Sequence, residues 1–184
     1  MAGVYIYSDN TELAGELIAL ARTSGQEVCA LTMSDSHAEE IVKFGPDTVF
    51  VLKGQSHVAE SYCGAIAKLL TDQDASAFIA GATVRGRDIA AQVAARLSAG
   101  LISEAGNVSF SSGRVRASRF MYGGLTEQIE EGGALTVVTV PSGKYTAELN
   151  GTVKSVVVSM TVDTDPRIRI KGSSPVVKEG ADLS

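Results

Sequence analysis

Ala77-Phe78-Ile79-Ala80-Gly81-Ala82-Thr83-Val84-Arg85-Gly86-Arg87-Asp88-Ile89-Ala90-Ala91-Gln92-Val93-Ala94-Ala95-Arg96-Leu97 holds the signal from which the fold follows. Its first four residues are apolar on both faces, as in a strand covered by helices on two sides. Ile89, Val93 and Leu97 then recur at i, i+4 and i+8, one face of a helix. Working back toward the N-terminus, the same alternation occurs three more times. The strands are Val4-Tyr5-Ile6-Tyr7, Val28 to Thr32 and Thr48 to Leu52. The helices stack Leu13, Leu17 and Leu20, then a shorter Ser36 to Phe44, then Val58, Tyr62, Ile66, Leu69 and Leu70. Four βα units predict an α/β fold built on a buried parallel sheet.

After Ser98 the helical period stops. Strands are predicted near Leu101–Ser103, Val115–Met121, Leu125–Glu130, Leu135–Val140 and Thr152–Val162, giving an antiparallel or mixed second half. Gly123-Gly124 falls between two of these runs and tolerates the positive φ of a tight turn, so a β-hairpin extension is expected there. Nothing marks a linker, so residues 1–165 read as one domain, and 166–184, polar and punctuated by Gly, Ser and Pro, as an extended arm or connector.

The 184 residues are 45% apolar, with 16 Lys and Arg against 21 Asp and Glu, a net charge of −5. That length supplies a core without disulfide or metal staples. The acidic total argues against nucleic-acid or anionic-membrane binding, which needs a dominant basic surface. The apolar runs Ala134–Pro141 and Val156–Val158 fall far short of the roughly 20 residues of a membrane-spanning helix. Met1 to Tyr7 lacks a basic leader, and Cys29 and Cys63 have neither C-x-x-C nor metal-ligand spacing, so a cytoplasmic chain with buried, reduced thiols and no metal is expected.

Three features bear on chemistry. Gly81 to Asp88 lies where a strand ends and a helix begins, the edge at which open α/β sheets bind ligands. Gly81 and Gly86 would let backbone amides approach an anion, and Arg85 or Arg87 would pair with it. The turn has neither the Walker Gly-Lys-Ser/Thr nor G-x-G-x-x-G. In the competing structural role the glycines shape the turn and Asp88 caps the helix. Secondly, His37 and His57 each follow a serine at a predicted helix start. No G-x-S-x-G accompanies them, and Ser36 with Glu39 reads as a capping box, so no catalytic residue is assigned. Thirdly, Arg85, Arg87, Arg96, Arg114, Arg116 and Arg119 face only Asp88 and Glu104 in the same stretch, a local +4. They serve either an acidic partner or the surplus acids of the chain itself.

The stretch from Gly81 to Glu104 resembles the N-terminal domain of the electron transfer flavoprotein alpha subunit. Arg119-Phe120-Met121-Tyr122-Gly123-Gly124 resembles that family's hairpin, and Leu135 to Gly143 the strand after it. Gln92 replaces a frequent arginine and Glu104 a usual aspartate. The resemblance spans essentially the whole chain. It implies a Rossmann-like sheet of the adenine nucleotide alpha hydrolase type; the arginine-rich stretch and the hairpin supply Arg114, Arg116, Arg119 and Tyr122 as interface candidates. It further implies that FAD is held in the intact complex mainly by a C-terminal domain with a Gly-Arg-Gly signature, into which Val176 to Ser184 resembles the connector. No cofactor is then expected on this chain alone.

The leading functional reading is therefore a non-catalytic scaffold and subunit-interface domain of an electron transfer system. Its expected partner is a beta subunit or a second copy of the chain. The alternative is a small adenine-nucleotide-binding protein or hydrolase using the Gly81–Asp88 loop, with Ser8 to Thr11 across the crevice. A homo-oligomeric relative with a regulatory or storage role is a third reading.

Overall fold

Residues 3–111 and 113–174 are described by the computed structural model. The first half follows the predicted order: β1 (Gly3–Tyr7), α1 (Thr11–Arg22), β2 (Glu27–Thr32), α2 (Asp35–Val42), β3 (Thr48–Lys53), a 3-10 turn (Ala59–Tyr62) running into α3 (Cys63–Asp72), β4 (Ala77–Gly81) and α4 (Val84–Leu97). The second half contains β5 (Gly100–Ile102), β6 (Asn107–Ser111), β7 (Arg114–Met121), β8 (Thr126–Glu131), β9 (Thr136–Val140) and β10 (Val156–Thr161). Seven strands form one sheet in the order β10-β3-β2-β1-β4-β9-β5, and β6-β7-β8 form a second.

The period of two sorts each central strand between two cores. Val4 and Ile6 of β1 face α1 and α2 with Leu13, Leu17, Ile41 and Val51. Tyr5 and Tyr7 face α3 and α4 with Ile66, Leu70, Ile89 and Val93. The helices over these faces are started by side chains. Asn10 accepts the Leu13 N–H at 2.9 Å, and Thr83 accepts the Gly86 N–H at 2.9 Å. Val108, Val115 and Ala117 of the small sheet join the α1 side of the core.

Several expectations change. Every pairing in the seven-stranded sheet is parallel, so β5, β9 and β10 extend the βα sheet rather than forming a mixed sheet. The apolar run at β9 is buried on both faces, as a central parallel strand must be. Only β6-β7-β8 is antiparallel. Its β7–β8 connection is the expected hairpin, with φ of 68° at Gly123 and 93° at Gly124. The strand β6 lies outside the predicted set. Helix α2 is capped by Ser34, whose Oγ accepts the His37 N–H at 3.4 Å, while Ser36 only meets the Ser34 hydroxyl at 2.9 Å. Thr83 rather than Asp88 caps α4, and Asp88 sits within the helix, accepting from Gln92 at 3.1 Å. Val58 precedes the 3-10 turn rather than starting a helix. Residues 166–174 carry no strand, and the connector-like Val176 to Ser184 lies outside the described residues. Among the described residues no helix is long and apolar enough to cross a membrane.

Candidate functional site

The chain runs outward through β1, β2 and β3, then returns to place β4 on the other side of β1. That reversal makes the loops after β1 and β4 the switch point at which open α/β sheets take ligands. Here the two loops close on each other. Thr83 Oγ1 donates to Asp9 Oδ1 at 2.6 Å, and the buried Ser8 accepts the Asn10 N–H at 3.1 Å. A Cβ at Gly81 would lie 2.5 Å from Leu13 Cδ2 and 3.0 Å from Ser8 Oγ, and one at Gly86 would collide with the Gly81 carbonyl. Both glycines are thus filled by protein, as close helix–strand packing requires. Arg85 Nε meets Glu60 at 3.3 Å. Arg87 donates from Nε to the Ala82 carbonyl at 2.9 Å and pairs with Glu104 at 3.1 Å. Within the predicted anion loop the Gly86 N–H and the Arg85 and Arg87 guanidinium groups are used internally, and the Asp9 carboxylate lies beside it.

Beside it, the C-terminal ends of β1, β2 and β3 enclose a cleft of about 560 Å³. Its walls include Tyr7, Asp9, His37, Lys53, His57 and Arg85. The structure thus gathers both histidines at one place, which their sequence positions did not reveal. Neither forms a dyad with its preceding serine. Ser36 bonds Ser34, and Ser56 Oγ accepts the Val58 N–H at 3.1 Å. His37 Nδ1 instead meets Thr32 Oγ1 at 3.3 Å, while its Nε2 is buried without a partner. Burial holds the His37 pKa below 6.5. Lys53 is paired with Asp35, so the cleft combines paired charges with aromatic walls. Among the described residues no group of three or more His, Cys, Asp or Glu could hold a metal ion.

The small sheet is the more distinctive surface. Its inner face sends Val108, Val115 and Ala117 into the core, and alternation leaves Arg116, Phe120 and Ile129 on the exposed face, while Ser118 between them is buried. Phe120 is 64% exposed, Ile129 54%, Tyr122 at the hairpin 76% and Leu125 85%. Around them Arg114 pairs with Glu131 at 3.2 Å, and Arg119 reaches Ser103 at 2.8 Å and Glu130 at 3.4 Å. Arg96 meets Asp165 at 3.7 Å. Intrachain acids thus take five of the six arginines, and Arg116 alone makes no ion pair among the described residues.

A buried link ties this sheet to α1. The Glu16 carboxylate, 6% exposed, accepts from the backbone N–H of Gly143 at 2.8 Å, Lys144 at 3.2 Å and Tyr145 at 3.3 Å. The Tyr145 hydroxyl in turn accepts the Val108 N–H of β6 at 2.9 Å.

A seven-stranded parallel α/β sheet with a three-stranded antiparallel appendage defines the class of fold, and comparison with known proteins makes it particular. The chain belongs to the electron transfer flavoprotein domain family, which matches residues 10–165. It is similar to YdiR of Escherichia coli (strain K12), named as an electron transfer flavoprotein subunit, at 32% identity over 76% of this chain and 46% of that one. It is similar to Protein FixB of Salmonella typhi at 28% identity, over 80% of this chain and 48% of that one. With the electron transfer flavoprotein subunit alpha of Bacillus subtilis (strain 168) it shares 30% identity over 92% of this chain and 55% of that one. The chain spans about half the length of these relatives. The resemblance noted at Gly81–Glu104 and Arg119–Gly124 therefore reflects membership of the family.

The family name implies a flavin, and the switch point of this domain does not fit one. A dinucleotide pyrophosphate needs glycines open to close backbone approach, with no carboxylate held against them. Here the glycine approaches are filled and Asp9 stands in their place.

Proposed function

We propose that this chain is a scaffold and subunit-interface domain of an electron transfer flavoprotein of the alpha type, with no catalysis of its own. Residues 1–165 form the domain, and 166–184 the connector to a flavin-bearing segment. FAD in the assembled complex is then bound outside this domain. The observation that carries the reading is the exposure of four large apolar side chains, Phe120 and Ile129 on β7 and β8 and Tyr122 and Leu125 at their hairpin, all more than half exposed. Large exposed apolar side chains bordered by charged ones are the composition of a protein-binding surface. The partner is a beta subunit, and Arg114, Arg116, Arg119 and Tyr122 belong to the contact. Arg116 supplies the cation left for an acidic partner group, while the paired arginines hold the sheet rigid. Rim charges of this kind tune association rate and salt dependence.

The test mixes the purified chain with a beta subunit of the family and follows binding by calorimetry. Binding that Phe120→Asp with Ile129→Asp weakens at least tenfold supports the reading. Binding unchanged in that variant overturns the placement of the interface. Stoichiometric flavin absorbance of the chain alone would overturn its role as a flavin-free scaffold.

A further inference from the structure

The two sheets have four edge strands, and three of them are protected. A three-residue length limits β5, β6 gives its Val108 N–H to the Tyr145 hydroxyl, and β8 carries Glu127, Glu130 and Glu131. Short, covered and charged edges resist pairing with other chains. The fourth edge, β10, reads Val156-Val157-Val158-Ser159-Met160-Thr161 without charge or proline. Among the described residues it pairs only with β3. Val156 is 58% exposed and Val157 52%.

The direction of the free groups is fixed. Val156 donates its N–H to the Asp47 carbonyl and Val162 to the Lys53 carbonyl, both at 2.9 Å. Even-numbered residues therefore point their backbone polar groups inward. Val157, Ser159 and Thr161 present N–H and C=O to the open edge.

We infer that this edge pairs with β10 of a second copy, antiparallel about a two-fold axis at Ser159, joining two seven-stranded sheets into one. A two-fold across an antiparallel pair keeps opposed residues on the same face, so each residue meets one of the same parity. Centring on Ser159 aligns Val156 with Val162, Val157 with Thr161 and Val158 with Met160. These are β-branched and apolar pairs of the kind that stabilise adjacent strands. The outward residues fall in hydrogen-bonded positions, giving about six backbone bonds across the join. The strand is also polar in charge. Lys154 precedes it and Asp163 and Asp165 follow it, so antiparallel pairing brings the basic end of each strand beside the acidic end of the other. This surface is separate from the small sheet to which the beta subunit is assigned, so one contact can fail without the other.

The test uses the full chain. Light scattering is expected to give twice the 19.1 kDa chain mass at high concentration. Opposed residues of a hydrogen-bonded pair lie about 5.5 Å apart at Cα, within disulfide range. Ser159→Cys is therefore expected to cross-link to a dimer under mild oxidation, while Ser109→Cys on the exposed face of β6 does not. Val157→Lys with Thr161→Lys sets like charges opposite each other and is expected to weaken dimerisation more than tenfold. A monomer at high concentration overturns the proposal. So does a dimer that survives the double variant, or one that cross-links equally through position 109. Should the double variant fail to fold, the Ser159→Cys cross-link decides alone.

Discussion

Replacing Glu16 tests how the small sheet is held to the main domain. Its carboxylate accepts from three consecutive backbone N–H groups, the shortest bonds being 2.8 and 3.0 Å to Gly143. Hydrogen bonds to a charged acceptor contribute about 1.5–3 kcal/mol each when measured singly. The three share one carboxylate, and residues 143 and 144 are exposed, so water replaces part of the loss. Glu16→Ala should therefore cost about 2–4 kcal/mol in total, less than the sum of single bonds. Glu16→Gln keeps one acceptor oxygen but turns an amide donor toward other donors, and should cost about 1–2 kcal/mol. Urea unfolding followed by circular dichroism reads both as midpoint shifts, about 1–2 M for alanine at an m-value near 2 kcal/mol/M. Hydrogen exchange adds a signature that general destabilisation does not give. Because Tyr145 holds Val108, exchange should quicken at 143–145 and at Val108 while the β1 amides stay protected. Stabilities within about 0.5 kcal/mol of the parent for both variants, the range of ordinary surface substitutions, would refute the role given to Glu16.

Gly86→Ala should destabilise the domain by about 1–3 kcal/mol despite the better helix propensity of alanine, because the new methyl meets the Gly81 carbonyl; a stabilised variant in thermal melts would contradict the packing. Folding favours neutral His37, whose pKa lies below 6.5 in the native state, so the unfolded chain binds the proton first and this contribution is lost as pH falls below about 6.5. Stability against pH should therefore fall less steeply between pH 7 and 5 for His37→Gln than for the parent, and equal slopes would count against it. Burial pushes the Cys29 and Cys63 thiols up to about 12, so neither should react with a thiol reagent at pH 8 until urea unfolds the chain. Rapid labelling of the native protein would contradict their burial.

The βα half was legible because its strands are apolar on both faces and Leu13, Leu17, Ile89 and Val93 keep a strict helical period. Composition could not tell that β9 and β10 run parallel to the first strands, since Leu135–Val140 and Val156–Val158 suit any buried or half-buried strand. The strand β6 escaped because Asn107-Val108-Ser109-Phe110-Ser111 is short and half polar. Misplaced caps have a local cause, since several Ser, Thr and Asp residues crowd each helix start and only the turn geometry selects Ser34 and Thr83. The cleft was invisible for a different reason. Asp9 and His57 sit on loops and His37 in the first turn of α2, far apart in sequence, and only the packing of β1, β2 and β3 side by side brings them together. The exposed patch was half legible. The arginines and Tyr122 were marked by charge and hairpin position, while Phe120 and Ile129 needed the β7–β8 register to share a face.

On the proposed reading, a beta subunit docks on the outer face of β6-β7-β8. Hydrogen exchange of the chain, free and saturated with that subunit, tests it most directly. New protection is expected in residues 107–131, with Phe120, Tyr122 and Ile129 at its centre, and little change around Asp9, His37 and His57. Protection confined to the cleft at the ends of β1, β2 and β3, with the small sheet exchanging as in the free chain, would contradict it.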